Sequence, residues 1–157
     1  MESLGKKFEQ KIFECWHRYI PNSFFMRIPD QVSGYKTTSQ NLCDFIGYAM
    51  GNLYLLECKE HKGASFPFSN LSQYDRMKEK VGISGVRVGV IVWLSEKDEV
   101  FYVPISTITQ MMKDGKKSVG IKALKEKLYN IVEIPSIKKR TFMDSDLSVL
   151  LNLKDGE

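Results

Sequence analysis

Apolar residues recur at helical spacing from the start of the chain. Leu4, Phe8, Ile12, Cys15, Trp16 and Tyr19 form one stripe, which predicts an amphipathic opening helix closed by Pro21. Residues 22–28 read as a strand, and the polar segment 31–41 as a loop or short protruding hairpin. CDFIGYAM and LYLLECKE are strand-like runs separated by Gly51-Asn52, a pair suited to a tight turn, and together they predict a β-hairpin. After a loop through Gly63 and Pro67, Ser69 or Asn70 can cap a helix carrying Leu71, Tyr74, Met77 and Val81. VRVGVIVWL is nearly all apolar, Val-rich and short, so it reads as a strand buried on both faces. Beyond the charged turn SEKDE, EVFYVPI is a further strand. Ser106 opens a helix through Met112 that ends at Gly115, Ser118 opens another through Leu124 and Leu128, and TFMDSDLSVLL reads as a last helix. The order αβββαβ, followed by β and helices, predicts an α/β fold with a mixed β-sheet flanked by helices.

The hairpin places chemistry on one face. With Gly51 and Asn52 as the loop, Met50 faces Leu53, Asp44 faces Lys59 and Ile46 faces Glu57. Side chains alternate with period two, so Asp44, Glu57 and Lys59 project together, with Glu57 diagonal to Asp44 at ~7–8 Å. On an E-x-K tripeptide alone, a solvated sheet face is the commoner reading. The same face also carries Ile46, Tyr48, Met50, Leu53 and Leu55, however, and charges at the end of an apolar surface require partners. Two carboxylates ~7 Å apart repel by about 2 kcal/mol at an effective dielectric of 20. A bound Mg²⁺ or Mn²⁺ reverses that sign, and hard oxygen ligands suit both ions. Lys59 adds a cation for an anionic reacting centre or an activated water. Glu9, at the edge of the opening helix's apolar stripe, is a candidate third acid and equally an ordinary surface glutamate. Pro29-Asp30 precedes a polar loop and reads as turn chemistry.

Composition narrows the setting. At ~100–200 residues per domain, 157 residues are one domain. With 43% hydrophobic and 27% charged residues the chain is globular rather than disordered. A formal charge of +4 permits nucleic-acid binding without demanding it. Cys15, Cys43 and Cys58 show no C-x-x-C spacing and read as buried thiols in a reducing compartment. Cys43 and Cys58 are expected on the hairpin face opposite the acids. His17 and His61 have no zinc-ligand spacing to them. The first twenty residues lack the apolar run of a signal peptide, and nothing approaches the ~18 apolar residues of a membrane span. The expectation is a soluble cytoplasmic protein with no membrane partner.

Asp44, then Glu57-x-Lys59 on the next strand, between an opening and a later helix, resembles the PD-(D/E)xK nuclease superfamily with its restriction-endonuclease-like core. ECKEHKGASFPFSNLSQYDRM is more specific. It resembles the RecU-type Holliday-junction resolvases, in which E-x-K-E-T, F-P, N and H-Q recur in that order. GKKFE is similar to the G-K-x-F-E of that family's first helix, and VGVIVWLSEKDEVFYVPISTI and GKKSV also have counterparts there. The resemblance implies that Asp44 and Glu57 bind a metal, that Lys59 assists the attacking water or transition state, and that Glu9 completes an acidic cluster. It also implies that Gln73 sits in the first turn of its helix near the site. Ser72 stands where the family has His.

The resemblance therefore implies a Mg²⁺-dependent (Mn²⁺-tolerant) endodeoxyribonuclease that resolves Holliday junctions in DNA recombination and repair. Its implied partners are branched DNA and a second copy in a homodimer. The alternatives are a nuclease of the same fold acting on flaps, nicks or duplex, and a non-catalytic DNA-binding protein. Residues 24–41 leave room for only a short stalk or loop beside the family's longer one. Lys6, Lys7, Lys11 and Lys62 flank the proposed site and are the candidate DNA contacts. The sets Lys113/Lys116/Lys117 and Lys138/Lys139/Arg140 are further basic clusters available for DNA contact, for which a solvated face is the favoured reading taken singly.

Overall fold

The structure is a computed structural model and describes residues 2–29 and 41–157. Most of the expected stalk or loop, and Asp30 with it, lies outside the described residues. The opening helix is α1 (Leu4–Tyr19), capped by Ser3, whose Oγ accepts from the Lys6 N–H at 3.2 Å. Strands β1 (Phe24–Arg27), β2 (Phe45–Ala49) and β3 (Asn52–His61) follow. After β4 (Ser65–Pro67) and a 3₁₀ turn at Phe68–Asn70 comes the short helix α2 (Tyr74–Lys78). Strands β5 (Val86–Leu94) and β6 (Glu99–Pro104) lead to α3 (Ile105–Lys113). The remainder is β7 (Ser118–Gly120), α4 (Ile121–Glu126), β8 (Val132–Glu133), β9 (Ser136–Lys138), β10 (Met143–Ser145) and a 3₁₀ segment, Leu147–Asn152.

Six strands form one sheet in the order β1-β2-β3-β5-β6-β8. Only β3 and β5 run parallel, because α2 provides the crossover between them; the other neighbours are antiparallel. The expected mixed sheet flanked by helices is therefore present.

Each face of the sheet has its own core. Phe45, Tyr54, Leu56, Cys58, Ile91, Trp93 and Tyr102 pack on the side of α1 and the C-terminal 3₁₀ segment. Leu55, Val88, Val90, Val92, Phe101 and Val103 pack on the side of α3, β4 and β7. The period-two alternation of β3, β5 and β6 divides these residues between the faces. Helix α1 packs tightly over Gly47, where a Cβ would lie 2.8 Å from Phe25 of β1 and 2.9 Å from Trp16 of α1. A side chain there would push the helix off the sheet.

The hairpin turn differs from the sequence expectation. Ala49 pairs with Asn52 and Tyr48 with Leu53, so the loop is Met50-Gly51 rather than Gly51-Asn52. Both loop residues have positive φ, 50° and 83°, as a type I′ turn requires. Moving the loop by one residue moves every pairing by two. Ile46 thus faces Leu55 rather than Glu57, and Asp44, one step beyond the Phe45–Leu56 pair, comes opposite Glu57 rather than Lys59. A shift of two preserves which residues share a face.

Other expectations are corrected where tertiary partners outweigh local pattern. The helix expected from Ser69 or Asn70 is a 3₁₀ turn followed by five α-helical residues, so Gln73 is the N-cap of α2 and not part of its first turn. Ser106 lies inside α3 and donates to the Gly156 carbonyl at 2.7 Å instead of capping. Residues 118–120 are a strand because they pair with β4, Val119 opposite Phe66. TFMDSDLSVLL splits into β10, paired with β9, and the 3₁₀ segment. Cys43 and Cys58 are free and buried but lie in different core clusters, not on a shared face.

Candidate active site

Local geometry brings two carboxylates together where β2 begins. Asp44 immediately precedes β2; its carbonyl accepts from the Ile28 N–H at 2.8 Å, and its Oδ2 accepts from the Cys58 N–H at 2.8 Å. These two bonds hold Asp44 between β1 and β3. Glu57 follows Leu55 on the α3-side face of β3, with only 2% of its surface exposed. Lys59, two residues on, places Nζ 3.9 Å from Glu57 Oε1.

Glu57 is held in an unfavourable state. Its Oε2 is buried and has no hydrogen-bond partner. Burial raises its pKa to about 9, with the adjacent Asp44 carboxylate adding to the rise and Lys59 opposing it. Metal-free Glu57 is therefore protonated at neutral pH. Asp44 lies close enough to share that proton, yet no bond of normal geometry reaches Oε2.

A divalent cation suits this donor set. A buried, unpartnered carboxyl oxygen beside a second carboxylate offers hard ligands, and a cation would offset the repulsion that otherwise keeps Glu57 from ionising. Among the described residues no group of three or more His, Cys, Asp and Glu side chains is arranged to hold a metal.

The third expected acid is engaged elsewhere. Glu9 on α1 is gripped by Arg27 of β1 and lies 3.7 Å from Lys6 Nζ. Its charge still reaches Glu57, where it contributes to the raised pKa. The sequence reading missed Arg27. The alternation in FFMR held the signal, since it puts Arg27 on the face of Phe25, toward α1. Gln73 accepts from Ser72 Oγ at 3.2 Å and, among the described residues, makes no hydrogen bond to Asp44, Glu57 or Lys59.

The candidate DNA contacts fall into two settings. Lys6 is paired with Glu9. Lys11 pairs with Glu14 at 3.1 Å and lies 4.3 Å from the centre of the Phe142 ring. Lys7 and Lys11 line one cavity with Thr141 and Phe142, and Lys62 lines the next with Lys138 and Arg140. The fold thus brings Lys138 and Arg140 beside the expected lysines, although 76 residues separate Lys62 from Lys138.

Three comparisons bear on this arrangement. Residues 26–140 match one family model, RecU, described as Recombination protein U. No curated protein is similar enough to match. Among solved structures, Hjc of Archaeoglobus fulgidus, a Holliday junction resolvase from an archaeal hyperthermophile, is similar with a TM-score of 0.53 and 16% sequence identity. That alignment covers 80% of this chain and 93% of the other. At this identity the likeness establishes the fold, a restriction-endonuclease-like mixed sheet flanked by helices. No helix among the described residues is long and apolar enough to cross a membrane.

Proposed function

The chain belongs to the RecU family, Recombination protein U, and on that premise we propose that it is a divalent-metal-dependent endodeoxyribonuclease that resolves Holliday junctions by paired phosphodiester hydrolysis. Mg²⁺ is the proposed ion, with Mn²⁺ as a substitute. The observation that carries the reading is the convergence of Asp44, Glu57 and Lys59, with one buried carboxylate oxygen left unpartnered. Asp44 and Glu57 are the proposed metal ligands. A bound divalent cation would neutralise phosphate oxygens and lower the pKa of a coordinated water.

The remaining roles belong to the chain's own groups. The Cys58 N–H fixes the orientation of Asp44, so this ligand is set before substrate arrives. The Lys59 ammonium supports the negative charge that grows on the phosphorus oxygens as the water attacks. Glu9, tied to Arg27, adds negative potential behind Glu57 and favours its partnership with a cation. Gln73, at the start of α2, is proposed as an outer contributor. Lys7, Lys11 and Lys62, with Lys6 beside Glu9, are the proposed grips on flanking phosphates. Two symmetric cuts need two sites related by a two-fold axis, so the working form is proposed to be a homodimer. One domain of 157 residues acting on branched DNA in the cytoplasm completes the proposal.

The test is incubation of a labelled four-way junction, and of linear duplex of matched sequence, with and without Mg²⁺. The expected result is paired symmetric nicks in the junction, dependent on Mg²⁺, with the duplex largely intact. Equal cutting of both substrates would reassign the protein to another target of the same chemistry. Absence of Mg²⁺-dependent cutting on either would overturn the nuclease reading.

A further inference from the structure

Past Lys59 the chain runs three residues to Lys62 and reaches a cavity that the proposed chemistry leaves unused. It lies where β3 and β5 end together, Glu60 pairing with Trp93 and His61 with Leu94. Trp93, Met143 and the half-buried Phe142 give it apolar walls, and Lys62, Lys138, Arg140 and the exposed Glu96 also line its 250 Å³. Lys138 is held by Asp98 at 2.6 Å, whereas among the described residues Lys62 and Arg140 have no ion-pair partner. Trp93 is 7% exposed, and among the described residues its buried indole N–H has no hydrogen-bond acceptor.

We propose, resting on the nuclease reading for the DNA that supplies it, that this cavity receives one unpaired nucleotide, its base against Trp93 and Phe142 and its flanking phosphates toward Lys62 and Arg140. The lining suits a base rather than a phosphate alone. A buried N–H without an acceptor is costly, and the ring nitrogens and carbonyl oxygens of a base are acceptors. The Glu96 carboxylate repels phosphate but can accept from an exocyclic amino group. Aromatic walls offer stacking, which every base can use. At 250 Å³ the space is smaller than the ~300–1,000 Å³ of pockets for drug-sized ligands, so a single ring system fills it. A base stacked inside duplex cannot enter without being extruded, so the cavity favours strands whose bases are already unpaired.

The wall is fixed before any ligand arrives. Asp144, next to Met143, accepts from Arg18 at 2.7 Å and from Tyr19 at 3.1 Å, which pins β10 to α1. Phe142 also lines the neighbouring cavity with Lys7, and the Lys11 ammonium lies 4.3 Å from its ring centre. Phe142 is therefore a ridge between the base pocket and the cations of α1. A strand crossing that ridge lays phosphates toward Lys7 and Lys11 and one base toward Trp93. Three residues of extended chain separate Lys59 from Lys62, ~10 Å, so the captured nucleotide is a near neighbour of the one that is cut.

The test is equilibrium binding in EDTA, without cleavage, of a four-way junction with two unpaired deoxyadenosines at the branch and of the same junction with abasic residues in their place. The wild type is expected to bind the base-bearing junction ~10-fold more tightly, Phe142→Ala to remove that difference, and Trp93→Phe, which deletes the N–H donor but keeps an aromatic wall, to reduce it to ~3-fold. Equal wild-type affinities for the two junctions overturn the proposal without any variant. So does a preference that survives both substitutions, which places the base elsewhere. Deoxyadenosine monophosphate and inorganic phosphate are titrated separately. Micromolar binding of the monophosphate with no base preference in the junction overturns the proposal in favour of a free nucleotide, and phosphate competing as well as the monophosphate overturns it in favour of a cation patch alone. A base preference that Phe142→Ala removes, in a protein that never cuts DNA with Mg²⁺, upholds the pocket and ends the nuclease reading; a Mg²⁺-dependent nuclease without the preference does the reverse.

Discussion

Asp44→Asn, Glu57→Gln and Lys59→Ala should each lower junction cleavage by ~10³-fold or more, while affinity for the junction measured without cleavage stays nearly unchanged. The size of the effect follows from what each change removes. Asn and Gln keep the shape of the acids but remove the charge that holds a divalent cation. Glu57 is the more sensitive of the two acids because its Oε2 has no protein partner to compensate. Lys59 stands 3.9 Å from Glu57 Oε1 with its side chain only 24% exposed, so its charge is only partly screened by solvent. DNA affinity is expected to survive because the proposed phosphate contacts, Lys7, Lys11 and Lys62, line cavities apart from the acids. Gel-based cleavage paired with binding in Ca²⁺ or EDTA separates the two quantities. A variant cutting at the wild-type rate would remove that residue from the site.

Glu57→Gln should also stabilise the metal-free protein at alkaline pH, the opposite of its effect on activity. The folded chain holds the Glu57 proton up to about pH 9, whereas the unfolded chain releases it near the ordinary glutamate value of 4.5. Between those limits the folded state binds more protons than the unfolded one. Stability therefore falls as pH rises through this window, from full below pH 4.5 to its lowest above pH 9. Glutamine carries no such penalty. At pH 8 the variant should gain on the order of 3 kcal/mol, allowing for the proton shared with Asp44. For a chain of this size that is roughly 5–10 °C in Tm. At pH 5 the difference should nearly vanish. Adding Mg²⁺ at pH 8 should raise the Tm of the wild type and leave the variant where it is. Thermal unfolding of both proteins at the two pH values reads all of this. A variant less stable than the wild type at pH 8 without metal would contradict the buried-acid description.

These expectations depend on a geometry that was largely legible in the sequence, though for reasons that need separating. The runs around Asp44 and Glu57 alternate little, β3 being buried through five consecutive residues, but pairing them as a hairpin puts both acids on one face by strand geometry alone. The turn was misplaced because Gly51-Asn52 is a better turn pair by composition than Met50-Gly51. The fold accepts a left-handed Met50, a choice that nothing local predicts. The common face survived because the error changed each pairing by an even number.

Past Gly115 the elements were less legible. Strands of three residues exist only through their partners, β7 against the distant β4 and β10 against the neighbouring β9. Their residues carry too little periodicity to announce them. Glu9 shows a different limit. Its place at the edge of the helix stripe was readable, but its engagement by Arg27 depends on β1 crossing beneath α1. The convergence of Lys62 with Lys138 and Arg140 likewise arises only from the fold.

The central claim is that Asp44 and Glu57 together form one divalent-cation site. Crystals grown in or soaked with Mn²⁺, measured at wavelengths where manganese scatters anomalously, test it most directly. The account predicts an anomalous peak within coordination distance of both carboxylates, ~2.0–2.3 Å from one oxygen of each, and its loss in Glu57→Gln. Manganese bound elsewhere, or the two carboxylates turned apart with no peak between them, would contradict it.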